Sequence, residues 1–316
     1  MSSLEKDYQV NPFLKDHSVL ALGCMAFGVN DKDKDSLGAM QTAWDLGITH
    51  WDTALAYGSG HAETLCGKFL KGKWDQVFLA TKGTPGKKPE SIIKSLHKSL
   101  KSLGTDKIDL FYMHWPRSDV DMRPHFELLE REREMGTIGA IGVSNFSLEQ
   151  MKLVIEAANI DAHQLCYNLF WRKAEVDMIP FCKDNDIAVI SYSSIAQGIL
   201  TGKFSCMPIF ESNDTRSHTV FFQSDVWPYL FAATKKLKLI SNAIDCPLHH
   251  LAIQWIIQQK VINSVIVGAR NGSQVQDNVV SLERNIPDEV INKITEISSE
   301  TIKHLPDEEN IFKYYP

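Results

Sequence analysis

Four polar side chains in this 316-residue chain have the types and spacing that proton transfer to an oxygen atom needs: Asp52, Tyr57, Lys82 and His114. A phenol ordinarily titrates near pH 10, which is high for a general acid at neutral pH. A neighbouring ammonium favours the phenolate and lowers that value, and Lys82 is the ammonium to hand. An ammonium kept out of water needs a counter-charge, which Asp52 supplies. A neutral imidazole, here His114, hydrogen-bonds a substrate oxygen and fixes its orientation. The set suits hydride addition to a carbonyl carbon. Asp52, Lys82 and Tyr57 form a relay that protonates the resulting alkoxide, and His114 forms the other wall of an oxyanion site.

Three of the four residues close short apolar runs: Asp52 in Ile-Thr-His-Trp-Asp, Lys82 in Val-Phe-Leu-Ala-Thr-Lys and His114 in Asp-Leu-Phe-Tyr-Met-His; Tyr57 follows the first by five positions. These runs belong to a longer pattern. Strand-like segments are predicted at 19–22, 48–52, 77–81, 109–114, 140–143, 164–167, 188–192 and 265–267. Amphipathic segments such as 35–46, 90–103, 124–135, 148–158 and 248–259 lie between them and are long enough for helices. Eight strands alternating with helices imply parallel β/α units that close into a (β/α)8 TIM barrel, in preference to an open doubly wound sheet. Polar residues at the strand C-terminal ends of such a barrel face one rim, where barrel chemistry is done. The reading is of one domain, 1–316, with 1–18 capping the barrel bottom. Phe27, Trp115 and Phe146 fall near the inferred mouth as apolar walls. The stretch 203–229 shows no clear helix or strand, and its aromatics Phe204, Phe210, Phe221, Phe222 and Trp227 suggest packing over something.

Composition narrows the classes. Hydrophobic residues make up 44% and charged residues 23%, with a net charge of -6, the profile of an ordinary globular protein without a basic patch for nucleic acid. The six cysteines form no C-x-x-C pair and read as reduced thiols of a cytoplasmic protein. The opening Met-Ser-Ser-Leu-Glu-Lys-Asp has no apolar core of a signal peptide, and no apolar stretch approaches membrane-span length. Tyr57-Gly58-Ser59-Gly60 mimics a dinucleotide fingerprint, but the third glycine falls on Glu63. Gly202-Lys203 mimics a phosphate loop, but its first glycine falls on Gln197 and its hydroxyl residue on Phe204. His249 and His250 are adjacent, which points them to different faces of a helix, and no metal site is expected.

Several blocks together resemble the signature segments of the aldo-keto reductase superfamily. They are Trp51-Asp52-Thr53-Ala54-Leu55-Ala56-Tyr57-Gly58, Ala80-Thr81-Lys82-Gly83, Met113-His114-Trp115-Pro116, Gly139-Ala140-Ile141-Gly142-Val143-Ser144-Asn145-Phe146 and Gly268-Ala269-Arg270. They run in the family's order, and all four positions of its Asp/Tyr/Lys/His tetrad match. The resemblance implies a nicotinamide cofactor, NADP(H), extended across the barrel mouth. It implies Ser144, Asn145 and Gln164 on the carboxamide, Tyr192 stacked on the nicotinamide, and Gly23, Cys24 and Met25 on the first loop. The run from Ser193 through Ser194 and Ile195 to Lys203 would hold the pyrophosphate, with Gly198, Leu200 and Lys203 foremost. Gly268, Arg270, Gln274 and Asn278 would take the adenosine end, and the segment 203–229 would lie over the cofactor. The chain departs from the family where Tyr192-Ser193-Ser194-Ile195 lacks the common Tyr-Ser-Pro-Leu proline, and at Cys24 and Met25, where Thr and an aromatic residue are frequent.

The function so implied is NADP(H)-dependent interconversion of carbonyls and alcohols, on a small-molecule aldehyde, ketone or sugar. The alternative is a cofactor-binding regulatory subunit with little turnover, since the potassium-channel β-subunits of this superfamily keep the tetrad. NADP(H) is expected to be preferred over NAD(H): Arg270, Ser273, Gln274 and Asn278 supply donors, and no carboxylate stands between Gly268 and Gln276 to repel a 2′-phosphate. Asp277 is the nearest acid and is available for the adenine amino group.

Overall fold

The computed structural model describes residues 14, 16–28, 33–211 and 214–316. Eight strands pair in parallel in chain order: β1 (Leu20–Gly23), β2 (His50–Asp52), β3 (Phe78–Gly83), β4 (Ile108–Met113), β5 (Ile138–Ser144), β6 (Ala162–Cys166), β7 (Ala188–Tyr192) and β8 (Ser264–Gly268). β8 returns to β1 in the register Leu20↔Val265 to Gly23↔Gly268, so the sheet closes as the expected TIM barrel. Around it lie α1 (Asp33–Asp45), α2 (His61–Leu70), α3 (Glu90–Leu103), α4 (Arg123–Glu134), α5 (Leu148–Val154), α6 (Met178–Asp184), α7 (Trp227–Ala243), α8 (Leu248–Ile257), α9 (Gly272–Val280) and α10 (Asp288–Ile302). None is long and apolar enough to cross a membrane.

Alternation along each strand sorts the side chains into two sets. Trp51, Leu79, Phe111, Ile141, Val143, Val189, Val265 and Val267 join the larger core, which lies under the helices. Ala80, Leu110, Tyr112, Ala140, Ala162, Ala188, Ile190 and Ile266 form a second cluster that fills the barrel. Alanine dominates this inner set because eight strands leave an interior just wide enough for side chains. Two residues further along the same inward phase stand Lys82 after Ala80, His114 after Tyr112, Gln164 after Ala162 and Tyr192 after Ile190. The period of two that packs the barrel thus delivers polar groups to its upper rim.

The structure adjusts several sequence expectations. The helix expected over 148–158 starts where read, with a capping box between Ser147 and Gln150, but ends at Val154. Beyond it, Asn159 is drawn away by tertiary bonds: its N–H donates to Glu130 Oε1 (2.6 Å) and its carbonyl accepts from Arg133 Nη1 (3.1 Å). The stretch 203–229 contains 3-10 turns at Thr215–His218 and Val220–Phe222, and its end is the first turn of α7. Its aromatics pack largely on one another, with ring centroids 4.7 Å apart for Phe210 and Phe222 and 5.6 Å for Phe222 and Trp227. Of the proposed cap 1–18, all but 14 and 16–18 lie outside the described residues; Leu14 is buried in the barrel-filling cluster.

Gly142 shows how tightly that interior is filled. A Cβ there would meet Tyr112 Cδ1 at 2.4 Å, and the Tyr112 ring lies 5.8 Å from Lys82 Nζ. Gly142→Ala should therefore displace Tyr112 and lower unfolding free energy by about 1–3 kcal/mol, the usual cost of overpacking. Urea denaturation of the two proteins checks this, and an unchanged midpoint would show that the interior has room to spare.

Candidate active site

The rim is organised by a buried ion pair. Lys82, on β3, and Asp52, at the end of β2, are both almost wholly excluded from solvent. Lys82 Nζ donates to Asp52 Oδ1 at 2.5 Å, to the Thr53 carbonyl at 2.8 Å and to Tyr57 Oη at 3.4 Å. An ammonium has three N–H donors, and each has an acceptor. The other carboxylate oxygen of Asp52 accepts from Gln164 Nε2 at 2.8 Å. The chain between Asp52 and Tyr57 is stitched to β3 by Thr53 N–H to Ala80 O (2.9 Å) and Leu55 N–H to Lys82 O (3.2 Å). Tyr57 then opens a 3-10 turn whose next two residues, Gly58 and Ser59, have left-handed backbones. Tyr57 and His114 meet edge to face at 5.9 Å between ring centroids. All four sequence-derived residues are therefore brought together.

Their ionisation follows from burial. Burial works against the Lys82 ammonium, yet Asp52 and Tyr57 together hold it above its ordinary value. Burial also lifts the Asp52 carboxyl, against the pull of Lys82 and Gln164. At a 2.5 Å separation the pair is charged, each ion being the other's compensation. For Tyr57 the sequence expectation is corrected. Burial raises its pKa above the ordinary phenol value; Lys82 does pull downward as anticipated, but not enough to offset burial and the nearby Asp52. His114 is pushed down to about 3 by burial and by Lys82, so its imidazole is neutral at physiological pH.

Beside the tetrad, Asn145 has a left-handed backbone (φ 63°) and donates to Ser144 Oγ at 3.0 Å and to the His114 carbonyl at 3.2 Å. Its side-chain oxygen accepts from Tyr192 Oη at 2.6 Å. After β7 the backbone is left-handed at Ser193, Ala196, Gln197, Gly198 and Gly202. Such a run turns successive N–H groups into a concavity that suits anions. It is braced by Ser194 Oγ donating to Ile266 O (2.7 Å), Gln197 Nε2 to Ser193 Oγ (2.6 Å) and Asn168 Nδ2 to Ser193 O (3.0 Å). Lys203 Nζ lies 3.5 Å from the Cβ position of Gly198. Burial and the charges of Arg270 and Arg216 lower the Lys203 pKa, which places three cations at one end of the site. Arg216 escaped the sequence reading. It is held by Asp214, with Nε to Oδ1 at 2.9 Å, and lies 4.5 Å over the Phe210 ring. The Asp214-Thr215-Arg216 spacing was its one signal.

The remaining residues divide. Ile195 and Leu200 pack with the main core, Leu200 fully buried. Gly23 lies against Gly268 across the β1–β8 seam, and Met25 is exposed. Cys24 is buried, its thiol donating to Leu22 O (3.6 Å) and accepting from Cys66 Sγ (3.8 Å). At α9, Gln274 Oε1 accepts from Arg270 N–H at 2.8 Å, while Asn278 is buried. Asp277, read as available for adenine, is engaged by His249 Nε2 at 2.7 Å and His250 Nε2 at 2.9 Å. The two histidines thus converge on one carboxylate, although adjacent residues were expected to point to different faces of the helix. Of the expected apolar walls, Trp115 is half-buried at the mouth, but Phe27 is wholly buried in the core and Phe146 packs edge-on to Phe126 at 5.9 Å. The wall beside Trp115 comes instead from the C-terminal segment: Tyr314 at 5.0 Å and Phe312 at 6.0 Å, with Phe312 also near-parallel to Tyr192 at 6.3 Å. The aromatic run Ile311-Phe312-Lys313-Tyr314-Tyr315 was visible in the sequence, but its destination was not.

Comparison with known proteins follows the same lines. Residues 19–299 match the sequence model of the aldo/keto reductase family. The aldo-keto reductase YhdN of Bacillus subtilis is 38% identical over 268 residues, which is 81% of this chain and 81% of its own. The NADH-specific methylglyoxal reductase of Escherichia coli is 29% identical over 265 residues, 77% of this chain and 81% of its own. Among solved structures, a glycerol dehydrogenase from Gluconobacter oxydans superimposes with a TM-score of 0.84 at 28% identity, covering 95% of this chain and 97% of that one.

The ion pair makes a stability prediction. Lys82→Met leaves Asp52 charged and buried with Gln164 as its remaining partner, and should cost about 3–5 kcal/mol of unfolding free energy. Adding Asp52→Asn should restore much of that loss. Denaturant titration of both variants tests the pair, and equal stability of the single variant and wild type would contradict it.

Proposed function

Since the chain belongs to the aldo/keto reductase family, we propose that it is an NADP(H)-dependent oxidoreductase interconverting a carbonyl (aldehyde, ketone or sugar) and the corresponding alcohol. The observation that carries this reading is the three-way sharing of the Lys82 ammonium among Asp52, the Thr53 carbonyl and Tyr57 Oη, with neutral His114 across from the phenol.

A nicotinamide dinucleotide, when bound, supplies the reducing equivalent. The residues present fit such a group. Asn145, oriented by Tyr192, and Ser144 and Gln164 beside it offer amide-matching donors and acceptors. The left-handed turns at Ser193, Ala196, Gln197, Gly198 and Gly202 suit a diphosphate, and Lys203, Arg216 and Arg270 supply positive charge. The segment 203–229 is assigned to cover that end. The Escherichia coli relative is NADH-specific by name, so the cation cluster, rather than family membership, carries the preference for NADP(H).

In this reading the protein's own groups divide the proton chemistry among them. The substrate oxygen lies between Tyr57 Oη and the His114 ring, both of which donate to it. Burial keeps the phenol protonated until negative charge develops on that oxygen. As the proton leaves Tyr57, Lys82 stabilises the phenolate through its existing hydrogen bond, and Asp52 keeps Lys82 charged. Alcohol oxidation runs the same proton path backwards. Trp115, Phe312 and Tyr314 form the outer wall against which the rest of the substrate packs.

Two measurements follow. Tyr57→Phe should lower kcat for NADPH-dependent carbonyl reduction by roughly 100-fold or more, the scale of a lost general acid, with little change in NADPH affinity; wild-type turnover in this variant would remove Tyr57 from the proton path. Arg270→Ala should weaken NADPH by about 1.5–3 kcal/mol, as for a hydrogen bond to a charged group, and scarcely affect NADH. Paired fluorescence titrations read this, and equal losses for both cofactors would take Arg270 away from the phosphate.

A further inference from the structure

His249, His250 and Asp277 lie apart from the tetrad, where the start of α8 meets α9. Among the described residues they form a group in which three metal-ligating side chains each offer an atom within 4.8 Å of the others. His249 Nε2 and His250 Nε2 each approach one oxygen of the same carboxylate, at 2.7 and 2.9 Å. The two rings are tilted at 68° with centroids 4.4 Å apart. We propose that these three residues bind a divalent transition-metal ion, Zn2+ being the best match, through two imidazole nitrogens and one carboxylate oxygen, with water completing the shell.

The chemistry of the donors fits. Two imidazoles and a carboxylate form a donor set of borderline softness that suits zinc, nickel or copper more than calcium or magnesium. At metal–ligand distances near 2.1 Å, tetrahedral neighbours stand about 3.4 Å apart. The three ligand atoms already lie within 4.8 Å of one another, and side-chain torsions can bring them to that spacing. The Asp277 side chain is half-exposed whereas that of His250 is buried, so the ion would sit between solvent and a buried anchoring ring. Ligation needs neutral imidazole. The Asp277 carboxylate, an acceptor only, holds hydrogen on His250 Nε2 at 2.9 Å, while His250 Nδ1 has no hydrogen-bond partner. Moving that hydrogen to Nδ1 leaves it buried and unpaired, and the N-terminus of α8 and Arg284 both oppose a cation. These costs set the affinity below that of a closed four-ligand structural site. The gain is a cross-link between α8 and α9.

The test uses the full chain without a histidine tag and with Cys206→Ser, because Cys206 is an exposed thiol that would compete for zinc. Calorimetric titration with Zn2+ should show one saturable equivalent, and Zn2+ should raise Tm by mass action. Co2+ should give the absorption of a nitrogen–oxygen ligand set without thiolate charge transfer. His249→Gln and Asp277→Asn should each weaken binding roughly ten-fold or more while leaving the metal-free Tm near that of the parent. His249 is the safer site, being partly exposed. Absence of saturable binding, or binding undiminished in both variants, overturns the proposal.

Discussion

The active end of this molecule depends on one buried contact, that of Lys82 with Asp52. Neither ion could stay charged alone at such low exposure, and each would be far costlier unpaired than paired. The pair therefore dictates its surroundings. Lys82 needs two further acceptors, which forces the chain after β2 to fold back over β3 and present the Thr53 carbonyl and the Tyr57 hydroxyl. Asp52 needs a second donor, which recruits Gln164 from across the barrel. Four separate segments are thereby drawn to a single point. The neutrality of His114 comes from the same source, since Lys82 adds to the burial that keeps a second positive charge out.

Much of this was legible in the sequence because strand parity is a short-range property. Asp52, Lys82 and His114 each end an apolar run in the phase that packs the barrel, and β7 at Ala188–Tyr192 was read with its full extent. Quantities set by long-range packing were not legible. The direction of the Tyr57 shift turns on how closely the hydroxyl is enclosed, against an attraction that the sequence does suggest. Phe27 and Phe146 sit beside signature residues but are consumed by the core, while Phe312 and Tyr314, remote along the chain, arrive at the mouth. The convergence of His249 and His250 follows from the position of Asp277 on another helix. Helix periodicity on its own cannot report that.

At the other end of the site, backbone shape and charge act together. Ser193, Ala196 and Gln197 adopt left-handed conformations that side chains ordinarily avoid. They are held there by hydrogen bonds from Asn168, just beyond β6, to the Ile266 carbonyl of β8 and within their own loop. Such strain persists only where the surroundings over-determine it, so this concavity is a rigid feature of the scaffold. Arg216 is different: it belongs to a short turn and is pinned by Asp214 two residues away. The positive end therefore combines a backbone cradle with a side chain carried by a short turn of a different loop.

The C-terminal aromatic segment has an evolutionary corollary. It is fastened by Val220 N–H to Ile311 O (2.8 Å) and by Ser118 N–H to Pro316 O (3.2 Å), so it spans two loops without belonging to any strand. Its residues shape the entrance but contribute nothing to barrel closure. Phe312 is half-buried and Tyr314 exposed, so substitutions at these two positions escape the packing limit that constrains Ala80 or Gly142, whereas Ile311 is buried in the core. Under the proposed function, a handful of positions outside the barrel can alter which molecules are admitted while Asp52, Tyr57, Lys82 and His114 stay as they are.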